Sequence, residues 1–434
     1  MSPNVHDSEP RRLIVVANRL PITLKRTSDG WLSEKSPGGL AAALNPVLKR
    51  SNGFWVGWSG DTSEIADDDR RNIISRWFER DRYVAVDLAP DVAHGFYEGY
   101  SNETLWPLFH QFPSLLRFDQ NHWTSYVRAN EIFRDQILKH YLPGDLIWIH
   151  DYHLMLLPQL LRQALPDAGI GFFLHIPFPS SSIFRILPKR EELLRGLLGA
   201  DYLAFHTYRY LQHFRGSILR ILGVGSQMDQ VEYGTRAVRL EALPIGIAPD
   251  EFSDLLTSDE KTKSHLSELK KRFQGRKLIL GVDRLDYTKG IPERLRAFRR
   301  LLSDYPKWRG KVVLVQVAVP SRERLRMYTR LRREVGELVS EINGEWGTPE
   351  WSPIIYLRRN LPRAELTALY AAADVALITA LRDGLNLVAK EYVACKPNGD
   401  GVLILSEFAG AAAEMGEAIM INPYDEERTA AAID

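Results

Sequence analysis

The sequence predicts an α/β protein of two doubly wound domains, each built on a mostly parallel sheet with helices on both faces, and three observations predict it. Continuous apolar runs, the mark of strands buried on both faces, alternate with helical patterns such as LLPQLLRQAL and IPERLRAFRRLL. Each of several such runs ends in a charged residue or a histidine. The composition also changes character part-way along the chain, after PIGIAPDEF, where a charged stretch separates two sets of strands.

In chain order, LIVVAN runs into Arg19, LIWIH into Asp151, GFFL into His175, KLILGVD into Arg284, VVLVQVAVP into Arg322, and VALITAL into Arg382 and Asp383. An open parallel sheet binds its ligands beyond the carboxyl ends of its strands, so these residues are the first candidates for a functional site. The first half carries its strands from Leu13 to about Ile247, and the second adds IIYLR, LILS and AIMIN. The segment SDEKTKSHLSELKKRFQGRK reads as a surface linker helix, placing the boundary at Pro249: residues 1–248 and 249–434 form two Rossmann-like domains expected to face each other across a cleft and to close over substrates. The final EERTAAAID reads as the start of a helix, with further C-terminal helices of the second domain expected beyond it.

With 434 residues, 45% hydrophobic and 26% charged, the chain can bury two cores. A formal net charge of +1 supplies no overall field for nucleic acid or membranes, so an anion site must come from local arginines. The lone Cys395 excludes an intramolecular disulfide, and the polar start MSPNVHDSEPRR lacks the apolar core of a signal peptide, so a cytoplasmic location is expected. No apolar run approaches the roughly 18–20 residues needed to span a bilayer. Enzymes of this size are commonly symmetric oligomers, which leaves a homo-oligomer open.

In RDGLNLVAKEYVAC, a turn with Gly384 enters a helix near Leu387, whose unpaired amides and positive end suit a diphosphate. Asp383 is placed to meet sugar hydroxyls and Glu391 those of a ribose; taken alone, Asp383 is equally a helix N-cap. In GVDRLDYTKGIPERL, Arg284 and Lys289 follow a strand and can neutralise a departing nucleoside diphosphate without a metal, although an ion pair of Arg284 with Asp286 or Glu293 would explain the same residues. SPGGLAAAL offers Gly38 and Gly39 for close backbone approach. Tyr97, Trp106 and Asp151 present aromatic and hydrogen-bonding groups, though a Trp or Tyr in so apolar a segment is more often core. His153 and His175 have no carboxylate and nucleophile at triad spacing, and His175 reads as a hydrogen-bond donor to a sugar or phosphate. Asp67, Asp68 and Asp69, beside Arg70 and Arg71, read as a solvated turn, so no metal site is expected.

Together the strings VVANRLP, SPGGL, WVGWSG, YEGYSNETLWPLFH, IWIHDYHL, IGFFLHIPFPSS, LGADYLAFHT, GVDRLDYTKGIPERL, INGEWG, LRDGLNLVAKEYVAC, LSEFAGAAAEM and NPYD, covering nearly the whole chain from Leu13 to Asp425, resemble the trehalose-6-phosphate synthases, retaining glycosyltransferases of family 20 with the GT-B fold. The resemblance implies transfer of glucose from a nucleoside diphosphate glucose to glucose 6-phosphate, without cofactor or metal. It implies that Gly38, Gly39, Arg284, Lys289, Leu361, Leu387, Val388 and Glu391 bind the donor, and that His175 and Asp383 hold the transferred glucose. Arg19, Tyr97 and Arg322 would grip the acceptor phosphate, with Trp106 and Asp151 on its ring. Uracil, adenine and guanine donors remain open. So do a sister enzyme with another acceptor, such as glucosylglycerol-phosphate synthase or a pseudo-glycosyltransferase, and a non-catalytic sugar-phosphate sensor. A nicotinamide-dependent enzyme lacks its G-x-G-x-x-G turn.

Overall fold

The computed structural model describes residues 11–28, 30–35, 44, 47–48, 50–61, 68–323 and 325–434. The chain forms two compact units that part between Ile245 and Gly246. In the first, nine strands make one sheet: β1 (Leu13–Arg19), β4 (Phe54–Trp58), β5 (Tyr83–Val86), β6 (Leu146–His150), β7 (Gly169–Leu174), β8 (Tyr202–Phe205), β9 (Ser226–Gln227), β10 (Gln230–Tyr233) and β11 (Arg236–Ala242). The strand order is β5-β4-β1-β6-β7-β8-β11-β10-β9, with β10 alone running against the other strands. β2 (Ile22–Thr27) and β3 (Gly30–Lys35) form a separate antiparallel hairpin. The apolar interior of β1 and all of β4 are buried, as strands covered on both faces must be.

The second unit carries β12 (Lys277–Arg284), β13 (Val312–Val319), β14 (Ile354–Leu357), β15 (Val375–Ile378), β16 (Val402–Ser406) and β17 (Ile419–Ile421), in the order β14-β13-β12-β15-β16-β17 and parallel throughout. In both sheets the chain builds outward in one direction and then in the other. The reversal falls between β1 and β6 in the first unit and between β12 and β15 in the second. At such a point neighbouring loops diverge to opposite faces and leave a crevice at the carboxyl ends of the strands.

Two sequence expectations change. The charged segment after Pro249 is not a linker: its helices Pro249–Ser258 and Glu260–Arg272 belong to the second unit, where Phe252 and Thr262 are buried and both helices pack on helix Arg363–Ala372. Asp68 and Asp69 are not in a turn. They open helix Asp68–Asp81, where carboxylates complement the positive end, and Arg70 is buried in ion pairs with Asp61 and Asp87. No helix of the described residues is long and apolar enough to cross a membrane.

Candidate active site

In the first unit the residues predicted from β1 and β6 lie at the two strands flanking the reversal. Arg19 ends β1, and its guanidinium carbon stands 4.0 Å from the ring centre of Trp58, the last residue of β4, and 5.2 Å from that of Tyr97. A Cβ on Gly60 would overlap the Arg19 guanidinium, so the glycine leaves the room that the side chain fills. Burial draws the Arg19 guanidinium below its ordinary pKa, while Tyr97 partly restores it; an arginine so placed stays charged and poorly solvated, as an anion receptor should be.

Tyr97 comes from an unusual element. Residues His94–Leu105 wind as a wide π-helix, with the Trp106 amide donating back to the Ser101 carbonyl. Runs this wide rarely exceed one turn, and they recur at functional sites. The segment packs along helix Gln120–Leu138, where Tyr100 meets the rings of Trp123 and Tyr126. Tyr97 is thereby turned toward Trp58 and stacks on His153, with ring centres 5.9 Å apart. His153 lies against Tyr152 at 3.9 Å, and Tyr152 against Trp106 at 5.7 Å. Trp106 is only 4% exposed and is part of the core as much as of a site surface.

Asp151 follows β6 with φ 76° and ψ 166°, a backbone state normally left to glycine. That conformation turns its Oδ1 to accept the His175 amide at 3.2 Å, while its own amide donates to the Phe173 carbonyl at 2.8 Å, so the ends of β6 and β7 are tied together. His175 also meets a neighbour that sequence reasoning missed: His150 Nδ1 lies 3.0 Å from His175 Nε2, and His206 packs on the same ring at 5.3 Å. Burial pushes His150 down to about 3 and His175 well below its usual value, so both imidazoles are neutral near pH 7. His150 Nε2 is buried and has no hydrogen-bond partner among the described residues. An orphaned acceptor is better tolerated than an orphaned N–H, which puts the His150 proton on Nδ1, donated to His175 Nε2, and leaves His175 with its proton on Nδ1.

In the second unit the loops after β12 and β15 are bonded to each other. The Leu381 amide donates to the Thr288 carbonyl at 2.8 Å, and Thr379 Oγ1 donates to the Gly290 carbonyl at 2.8 Å. Gly290 has φ 61°, and a Cβ there would overlap the Thr379 carbonyl, so only glycine allows this approach. The contact brings Lys289 Nζ to 2.6 Å from Asp383 Oδ2, which also accepts from Asn386 Nδ2 at 3.0 Å. Arg284 is exposed at the end of β12. Helix Leu387–Ala394 begins beside Asp383, and its N-cap is Asn386, whose side chain accepts the Ala389 amide. Asp383 is therefore not the cap, and its carboxylate serves Lys289 instead. The amides of Leu387 and Val388, in the first turn of that helix, have no intrahelical acceptor and form its positive end.

Glu391 accepts from the Tyr370 hydroxyl at 2.8 Å, and its carboxyl is raised by burial. Leu361 is buried between β14 and helix Arg363–Ala372. Arg322 belongs to this unit rather than to that of Arg19, Tyr97, Trp106 and Asp151; its Nη1 donates to Asp286 at 3.0 Å and lies 2.7 Å from the Tyr328 hydroxyl. Burial alone would raise the Asp286 carboxyl, but Arg322, Arg284 and the Thr288 amide hold it down at about 2. Asp286 is thus the ion-pair partner of Arg322. Gly38 and Gly39 lie outside the described residues. Among the described residues no group of three or more His, Cys, Asp or Glu side chains is placed to hold a metal ion.

The sequence profile described as Glycosyltransferase family 20 matches residues 11–434, nearly the whole chain. The chain belongs to glycosyltransferase family 20. Among its relatives, the UDP-forming α,α-trehalose-phosphate synthase A of Dictyostelium discoideum is 49% identical over 423 residues, 97% of this chain, which spans 57% of that protein's length. A UDP-forming α,α-trehalose-phosphate synthase from Burkholderia xenovorans, solved in complex with glucose 6-phosphate, superposes with a TM-score of 0.87 at 36% identity, covering 97% of this chain and 91% of its own. The N-terminal domain of a trehalose-6-phosphate phosphatase from Candida albicans superposes with a TM-score of 0.88 at 33% identity, covering all of this chain and 90% of its own.

Within this member of family 20, sequence reasoning named the strand-end residues, offered Asp286 as a partner for Arg284 but not for Arg322, and missed three groups that hold them: His150, Tyr328 and Asn386. Two of these carried a signal. His150 closes an apolar strand immediately before Asp151, and Asn386 stands three positions before the amide it caps, the spacing of a capping side chain.

Proposed function

We propose that this chain is a UDP-forming α,α-trehalose-phosphate synthase, moving glucose from UDP-glucose to the anomeric hydroxyl of glucose 6-phosphate with retention of configuration. The observation that carries the proposal is the grouping at the two sheet reversals: Arg19, Tyr97 and Asp151 at one, Arg284, Lys289, Asp383 and the Leu387 helix end at the other.

In this reading the first unit takes the acceptor, with Arg19 and Tyr97 on its phosphate and Trp106 and Asp151 at its ring. The second takes the donor, with Leu361 beside the base and Glu391 at the ribose; Gly38 and Gly39, outside the described residues, are assigned to the donor on the family resemblance alone. Arg322, held by Asp286 and Tyr328 in the second unit, is assigned to the acceptor phosphate on the family resemblance. Transfer breaks the bond from the glucose anomeric carbon to the β-phosphate oxygen and forms one to the acceptor oxygen; the acceptor's proton passes to the departing phosphate. Arg284, Lys289 and the amides of Leu387 and Val388 meet the charge that grows on the leaving group, so the scheme needs no metal. His175, neutral and carrying its proton on Nδ1, and Asp383 hold hydroxyls of the transferred glucose.

Removing Arg284 with Arg284→Ala is expected to lower kcat by about two to three orders of magnitude, the scale for losing a donor to a developing charge. Arg19→Ala should instead raise KM for glucose 6-phosphate more than for UDP-glucose. Near-wild-type kcat in the first variant, or a donor-first effect in the second, contradicts the assignment. The likeness to a phosphatase's N-terminal domain favours a second reading, a binding unit without transferase activity. Ligand binding with no turnover in the folded chain would select it.

A further inference from the structure

A pocket of about 290 Å³ opens in the first unit away from the residues assigned above, lined by Ser181, Ser182, Arg185, Arg190, Glu191 and Arg220. Three guanidinium groups meet one carboxylate there. Arg220 Nη1 donates to Ser181 Oγ at 3.0 Å and Arg190 Nη1 to the Leu187 carbonyl at 3.3 Å, but none of the three arginines forms an ion pair among the described residues. Arg12, Arg70, Arg162, Arg294 and Arg322, by contrast, each pair with a carboxylate. Glu191, which lines the pocket, also stands 3.8 Å from Arg195.

The pocket is also distant from the strand ends of its own unit. Helix Tyr208–Leu222 starts directly after β8, and Arg220 is twelve residues along it, about 18 Å at 1.5 Å per residue. Ser181, six residues beyond His175, is held at that end of the helix by the hydrogen bond from Arg220.

We propose that this pocket is a second anion site that binds the phosphate monoester of a small metabolite. Guanidinium forks match phosphate oxygens in pairs. The Ser181 hydroxyl accepts from Arg220 and so keeps its own proton to donate inward, with the Ser182 hydroxyl beside it. The volume stands at the small end of the roughly 300–1,000 Å³ range for small-molecule sites, room for a phosphate with a monosaccharide-sized body and too little for a nucleotide sugar.

Inorganic phosphate, titrated into the intact protein by calorimetry at constant ionic strength, tests this. Wild type should show one site more than those assigned to the acceptor and donor phosphates. Arg19→Ala should leave that extra site in place, and the pair Arg185→Gln with Arg220→Gln should weaken it about tenfold or more, the scale of losing charge-assisted hydrogen bonds. A Gln pair that titrates as wild type overturns the proposal. Without any substitution, phenylglyoxal labelling read by peptide mass spectrometry should slow at Arg185, Arg190 and Arg220 when phosphate is present; equal labelling with and without it also overturns the proposal. A site that responds to polyphosphate but not to phosphate or glucose 6-phosphate would refute the small-metabolite assignment.

Discussion

Asp151 offers an inversion of the usual ranking of alanine over glycine. Its φ of 76° and ψ of 166° cost a side-chain-bearing residue about 1–3 kcal/mol. Asp151→Ala and Asp151→Gly both lose the bond from the His175 amide to Oδ1, worth about 1 kcal/mol, so that loss cancels when the two variants are compared. Glycine relieves the strain and forfeits only about 0.5–1 kcal/mol of backbone entropy. The glycine variant should therefore be the more stable of the two by about 0.5–2 kcal/mol. In a unit of this size that is roughly 1–8 °C in melting temperature, read by thermal unfolding of both variants under one buffer. An alanine variant as stable as the glycine variant, or more so, would refute the claim that strain is held at this strand end. In both, KM for glucose 6-phosphate should rise, since the carboxylate is gone.

Lys289→Met takes away the cation that pairs with Asp383 and should cost about 3 kcal/mol, the low end for breaking a buried pair; adding Asp383→Asn should recover most of that in denaturant titration without recovering turnover. Gly290→Ala forces a Cβ onto the Thr379 carbonyl at positive φ and should destabilise by about 2 kcal/mol or more while lowering turnover, checked by urea unfolding and assay. Acid provides a further check. His150, at about 3, and His175, also lowered, bind protons more weakly folded than unfolded, where the value is about 6.5. Stability should therefore fall as pH drops below about 6.5, by about 1.4 kcal/mol per pH unit for each histidine, down to about pH 3 for His150. His150→Gln should flatten that slope by about one histidine's share, and an unchanged slope would contradict the neutral pair.

The apolar runs ending in Arg19, Asp151, His175, Arg284 and Asp383 could be read from sequence because a strand buried on both faces shows no alternation and stops where its first charge must meet solvent or ligand. The wide helix His94–Leu105 could not, since its winding is settled by Phe96 and Tyr100 packing on helix Gln120–Leu138 rather than by any local residue preference. Neither could the left-handed backbone of Asp151, which depends on bonds to β7. The charged helix Glu260–Arg272 was misread as a linker because its few inward residues, Thr262 among them, are outnumbered by solvated lysines and glutamates. Asp383 and Asn386 both suit an N-cap; only the Lys289 ammonium brought in by the Gly290 turn separates their roles.

The most direct test of the central claim is UDP release from UDP-glucose by the folded chain, measured with and without glucose 6-phosphate, with the product examined by NMR. The account predicts release that depends on glucose 6-phosphate and a non-reducing α,α-linked disaccharide phosphate. Release indifferent to the acceptor, a different linkage, or binding of both substrates with no release would contradict it.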